Sequence, residues 1–205
     1  MAYASRTGTR KNLDVLRANG WRLLVSARGV WRPEGFPYAL DNGAWTAFQR
    51  QEPFDAAAFT GLVERLGAGA DWVVVPDSVG NRDETLRMAD VWVPRLHGLR
   101  LLLAVQDGMT PVDVPHLGSV AGIFVGGSTE WKLETLPSWG AWARGAGVIC
   151  HIGRVNTARR IMACAKAGAT SFDGSGPSRF AVEAERLSVA WREADRLYGN
   201  ERVTP

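Results

Sequence analysis

The chain has 205 residues, 46% of them hydrophobic and 22% charged, with a formal net charge of +3. That is enough for one domain with a full core, residues 1–205, and it argues against disordered and fibrous classes. No apolar run has the length of a membrane span, the opening MAYASRTGTRK lacks a signal-peptide core, and Cys150 and Cys164 are too few for a disulfide framework, so a reduced, cytoplasmic protein is expected.

Alternating strand and helix signals run along the whole chain. Ala2–Ser5 reads as a first strand, followed by a polar turn with Gly8 and a helix from Arg10 to Asn19 that Gly20 stops. Trp21–Ser26 is a second strand, the punctuated stretch Ala27–Gly35 a loop, and Tyr38–Leu40 a third strand ending at Asp41. A helix from Asp55 to Leu66 leads to a fourth strand, Trp72–Val75, which ends at Asp77. A helix from Arg82 to Val93 feeds a fifth, Arg100–Val105, which ends at Gln106 with only a weak helix signal after it. Val120–Val125 is the sixth, ending in Gly126-Gly127, with a helix from Glu130 to Arg144 behind it. Val148–Ile152 is the seventh, ending in Gly153-Arg154, and a helix follows from Asn156 to Ala167. The eighth, Thr170–Phe172, stops at Asp173, and Arg179–Tyr198 reads as one closing helix with Leu187, Trp191 and Leu197 facing in. Eight short apolar strands, mostly separated by helices, predict an α/β fold, a trimmed (β/α)8 barrel.

In such a barrel every strand's C-terminal end opens on one face. Asp41, Asp77, Gln106, Gly126 and Asp173 should therefore converge on one pocket. Asp173 is the most telling: it stands at a strand end before Gly174, Gly176 and Pro177, where α/β enzymes hold reacting groups, although a lone Asp-Gly also reads simply as a turn. Three carboxylates with an amide suit a flat heterocycle carrying donors and acceptors on one edge, with carboxylates left for attack and proton transfer. Trp45 and Phe124 are candidates to stack on such a ring, although with nine tryptophans in the chain such aromatics more often serve as core or rim residues. No metal-ligand spacing involves Cys150, His151 or Cys164, and neither a metal nor a cofactor is expected.

Charge is unevenly spread. Residues 1–35 hold seven Lys/Arg against two acids and residues 151–179 five against one, whereas residues 36–150 hold thirteen acids against eight bases. Barrel closure would bring the two basic ends together, with Arg28, Arg32, Arg154 and Arg179 on the pocket's rim. Such a face suits a phosphate backbone, and it also reads as a solvated surface.

The series LDNGAW, VVVPDSVG, AVQDGM, VAGIFVGG, HIGRV and SFDG, from Ala39 to Arg179, resembles that of the tRNA-guanine transglycosylases and of their DNA-modifying relatives that insert 7-deazaguanines. The resemblance implies exchange of guanine for a 7-deazaguanine such as 7-cyano-7-deazaguanine, with Asp173 as nucleophile and Asp41 as general acid/base. It implies that Asp77 and Gln106 hold the base edge, and that Gly122 and Ile123 offer backbone to the base carbonyl, with Gly126 just beyond. The family's zinc segment C-x-C-x-x-C is absent, and GSGPSR follows the nucleophile, with Arg179 loosely matching a family arginine. A zinc-less chain is closer in character to the phage-type, DNA-acting branch than to tRNA enzymes, and implies DNA more than tRNA as partner. Other readings are a tRNA enzyme, a metal-free small-molecule barrel enzyme and an idle binding subunit. A Schiff-base enzyme would need a strand-end lysine, and Lys132 and Lys166 fall in predicted helices.

Overall fold

Eight parallel strands pair in sequence order, and the eighth closes on the first to make a barrel. The computed structural model describes residues 1–6, 9–114 and 117–199. The expected turn at Gly8 lies outside the described residues. The strands are β1 (Ala2–Ser5), β2 (Arg22–Ser26), β3 (Tyr38–Asp41), β4 (Val73–Val74), β5 (Leu101–Val105), β6 (Gly122–Val125), β7 (Ile149–Ile152) and β8 (Ser171–Gly174). Their apolar runs fit burial on both faces; every residue of LLLAV in β5 is buried. At the closure Tyr3 pairs with Asp173, so Asp173 lies within β8 and not beyond its end.

The helices are α1 (Arg10–Ala18), α2 (Ala44–Arg50), α3 (Ala56–Leu66), α4 (Arg82–Arg95), α5 (Thr129–Ala146), α6 (Ala158–Ala167), α7 (Gly176–Arg179) and α8 (Ala181–Tyr198). Most begin on an oxygen-bearing cap: the side chains of Thr9, Asp55, Asn81, Ser128 and Thr157 each accept a first-turn N–H. No helix is long and apolar enough to cross a membrane among the described residues. As expected, β2 and β3 are joined without an α-helix, and only two short 3-10 turns, Pro111–Asp113 and Leu117–Ser119, follow β5.

Three local expectations are corrected. Helix α2 gives little sequence signal because it is short and lacks a side-chain cap at its left-handed Gly43; the Asn42 carbonyl oxygen of the side chain instead accepts the Ala44 N–H at 2.8 Å. The closing helix is two, because Phe180 is extended (φ −133°, ψ 116°) and Pro177 starts α7, where a missing N–H costs nothing. Leu187 is buried and Trp191 partly so, but Leu197 is 47% exposed near the end of α8.

Two apolar layers result. Tyr3, Leu24, Ala39, Trp72, Val74, Leu102, Ala104 and Ile149 fill the barrel's inside. A larger layer, including Leu23, Leu40, Leu103, Ile123, Trp139 and Leu187, packs the outer faces of the strands against the helices. The inner layer floors the site.

Candidate active site

A cavity of about 360 Å³ opens at the C-terminal ends of the strands. Asp41, Asp77, Gln106, Gly126 and Asp173 line it together, with Arg28, Arg154 and Arg179 at its edge and Trp45 and Phe124 in its wall. Gly122, Ile123 and Arg32 do not line it. Ile123 points outward into the helix-facing core, and Gly122 lies at the start of β6, where a Cβ would fall 2.1 Å from the Ile149 carbonyl oxygen. Gly122 thus lies a strand length below the mouth, and Ile123 lies on the outer face of the strand. Arg32 is solvent-exposed and lies 3.7 Å from Glu34.

Asp77 sits at the centre of an amide network. The Asn42 side-chain amide donates to one of its oxygens at 2.7 Å and the Gln106 amide to the other at 2.5 Å. The Gln106 oxygen accepts the Gly80 and Gly127 N–H groups at 3.1 and 3.0 Å, which fixes its NH₂ toward Asp77. Gln106 thus has no acceptor to spare for a ligand, and offers only its second N–H. Burial pushes the Asp77 carboxyl up to about 6, against the opposing effects of the Asn42 and Gln106 hydrogen bonds and the Arg154 charge.

Asp41 ends β3 beside Ser26 of β2. Burial pushes its carboxyl up to about 6; the Ser26 hydroxyl pulls the other way, and the charges of Asp173 and Asp77 add to the rise. A carboxyl with that value changes protonation state close to neutral pH, as a proton carrier must. Asp41, Asp77 and Asp173 line the same cavity, which is why the charges of the other two bear on Asp41.

Asp173 is gripped from two sides. His151 of β7, fully buried, lies with Nε2 3.1 Å from one carboxyl oxygen and Nδ1 2.8 Å from the Ser171 hydroxyl. Burial holds His151 below its usual value despite Asp173, so the ring is neutral; with Nε2–H donating to Asp173, Nδ1 accepts from Ser171. The backbone N–H of Arg154 points at both Asp173 oxygens, 3.3 Å from each. It does so because Arg154 adopts a left-handed conformation, φ 61°, that non-glycine residues seldom take outside constrained sites. The Arg154 guanidinium donates to the Gly126 oxygen at 3.4 Å and to the Gly127 oxygen.

Sequence reasoning considers His151 only as a metal ligand and passes over Asn42 and Ser26. A signal for His151 exists: in register with Ser171 and two positions before Gly153, it faces the same interior as Asp173. Asn42 follows Asp41 directly, and its role emerges only when β3 and β4 are side by side. Among the described residues, no three His, Cys, Asp or Glu side chains are grouped so as to hold a metal ion.

The basic rim divides in two. Arg6 bonds Glu34 at 2.6 Å, and Arg28 pairs with Glu52 and, at 2.9 Å, with Asp55. Arg10, Lys11, Arg159 and Arg179 are exposed on α1, α6 and α7 and have no carboxylate partner among the described residues. Asn12 ties α1 to α7 through the Ser178 oxygen at 2.9 Å, and α6, α7 and α1 follow the neighbouring strands β7, β8 and β1, so these charges share one side of the barrel. No protein-family model matches the chain, and no curated protein matches it.

Proposed function

We propose that the protein exchanges guanine in a nucleic acid, DNA in preference to tRNA, for a 7-deazaguanine such as 7-cyano-7-deazaguanine. The observation that carries this reading is the convergence of Asp173 and Asp41 on one cavity, with Asp41 titrating near 6. An Asp173 oxygen attacks C1′ of the nucleotide; the C1′–N9 bond breaks, its electron pair goes to guanine N9, and Asp41 supplies the proton. The incoming deazaguanine then gives its ring N–H proton to Asp41 and attacks C1′, which restores the Asp173 carboxylate. Two displacements at one carbon follow the logic of retaining glycosidases.

The surrounding residues support the roles. His151 and the Arg154 N–H hold the Asp173 carboxylate in one orientation, and Phe124, with Trp45 once the Arg154 side chain leaves its face, supplies aromatic surface for a flat base. A cavity of about 360 Å³ accepts a purine-sized heterocycle. The exposed cations Arg10, Lys11, Arg159 and Arg179 suit phosphates on one flank. A duplex target must be flipped out of its stack to reach Asp173, at a cost of a few kcal/mol. The preference for DNA rests on the resemblance to the zinc-less, DNA-acting branch.

The test is incubation with labelled guanine or 7-cyano-7-deazaguanine and either DNA or tRNA, read by nucleoside mass spectrometry. Label should enter DNA, and Asp173→Asn should abolish both incorporation and a denaturation-resistant protein–nucleic acid adduct. Label in tRNA alone would move the substrate, and full activity of Asp173→Asn would end the mechanism. A metal-free small-molecule enzyme would incorporate nothing into either polymer.

A further inference from the structure

One peptide unit links a buried lysine to the proposed nucleophile. Lys132 of α5 is only 5% exposed, and its ammonium donates to the Gly153 oxygen at 2.5 Å. The N–H of that same Gly153–Arg154 peptide is the one aimed at both Asp173 oxygens. We propose that Lys132 is a positioning residue for Asp173, acting through the Gly153–Arg154 peptide. The proposal rests on the reading above for Asp173's role, but the contact geometry does not depend on which substrate is used.

The chemistry runs in one direction. A cation on a carbonyl oxygen draws electron density from the peptide and makes its N–H a stronger donor. The same contact anchors the peptide plane that the left-handed Arg154 backbone presents to Asp173. An ammonium has three N–H donors, yet Lys132 has this one hydrogen-bond acceptor among the described residues, so its burial is not explained by a satisfied local network. A methionine would fill the space between α5, β7 and α6 without that cost, where Leu136, Ile152 and Cys164 already pack.

Lys132 can also sense pH. Burial pulls it down to about 7, the charges of Arg154 and Arg160 push it further down, and Asp173 and Cys164 oppose them. The Lys132 charge also acts on His151 of β7, helping to hold that ring below its usual value. These are the charged and titratable groups that meet Lys132 from the barrel mouth, β7 and α6. The strength of the Arg154 N–H contact is therefore expected to fade as pH rises through about 7.

The experiment compares wild type with Lys132→Met and Lys132→Arg. The first readout is the Arg154 backbone amide signal in a ¹⁵N–¹H spectrum, which needs no substrate. It should move with a midpoint near pH 7 in wild type, lose that midpoint and shift upfield in Lys132→Met, and stay near the low-pH wild-type position in Lys132→Arg. The second is the single-turnover rate of adduct formation with DNA. It should fall about tenfold in Lys132→Met, with guanine affinity unchanged, and recover in part in Lys132→Arg. An Arg154 amide that does not respond in folded Lys132→Met overturns the proposal. An amide that responds as stated, with no adduct from wild type on any nucleic acid, upholds the coupling and defeats the transglycosylase reading instead.

Discussion

The Arg154 guanidinium lies 3.8 Å from the centroid of the Trp45 ring. The two residues follow β7 and β3, strands on opposite sides of an eight-membered barrel, so together they roof the cavity. Because Arg154 occupies the aromatic face a base would use, its side chain has to leave when a base enters. Arg154→Gly keeps the positive φ that glycine tolerates and removes the roof. Guanine should bind this variant more tightly, by up to the ~0.5–2 kcal/mol of a cation–π contact. Trp45→Ala should bind it more weakly, by about 1–3 kcal/mol. Calorimetric titration of both variants with guanine checks the pair, and equal weakening in both would mean that Arg154 does not compete with the base.

Asp41 predicts a pH-dependent stability difference. Its carboxyl rises on folding from 3.8 to about 6, so the folded state holds that proton more tightly. Its contribution therefore favours the fold below about pH 4 and is lost as pH rises through about 6. His151, pulled down by burial, acts in the opposite sense, so the informative quantity is the difference between variant and wild type. Asp41→Asn should gain on wild type by about 1 kcal/mol between pH 5 and pH 7 in urea titrations. A constant difference would mean that Asp41 is not raised.

Gly122→Ala should act on folding and not on base recognition. Its Cβ would lie 2.1 Å from the Ile149 oxygen and 2.6 Å from the Ile149 nitrogen, backbone atoms that cannot turn aside. A loss of several kcal/mol, or failure to fold, is expected, read as a large fall in Tm. A stable variant with impaired guanine binding would restore the base-facing role that its position argues against.

Salt dependence should separate the two halves of the rim. Arg159→Ala and Arg179→Ala should each flatten the slope of log Kd against log salt for duplex DNA by about 0.9 for every phosphate the arginine neutralises. Arg6→Ala and Arg28→Ala should change it less, because Glu34, Glu52 and Asp55 already neutralise those side chains. Equal effects from all four would mean that the rim acts as an undivided field.

Much of the fold is legible in the sequence because its signals are local. Eight apolar runs, each ending in a polar residue or glycine, mark the strands, and sequential parallel order brings Asp41, Asp77, Gln106 and Asp173 to one mouth without any knowledge of contacts. What escapes depends on register and pairing. That Gln106 spends its oxygen on Gly80 and Gly127 follows from where two loops meet. That Arg6 and Arg28 are neutralised follows from acids 24 to 28 residues away in the chain. Lys132 reads as an ordinary helical lysine, since only the packing of α5 on β7 turns its ammonium onto Gly153. Gly122 is misplaced by its distance along a strand, an offset that decides whether a residue faces floor or mouth.

Within the inner layer beneath the cavity, a set of rings interlocks among aliphatic side chains. His151 stacks on Phe124 at 4.9 Å between centroids and tilts against Trp72 at 4.7 Å, and Trp72 in turn meets Tyr3 at 5.0 Å. Flat, interlocked side chains of this kind leave little freedom to sink or swing. The walls above them, by contrast, are loops and the short α2. Tolerance for change in a ligand is therefore directional: an added methyl on the inward edge meets a stiff base, while the same methyl on the outward edge meets chain that sequence can remodel without touching the barrel. Descendants of this protein that take different bases should accordingly differ at positions such as Trp45, Gln49 and Val79, and keep Tyr3, Trp72, Phe124 and His151 as they are.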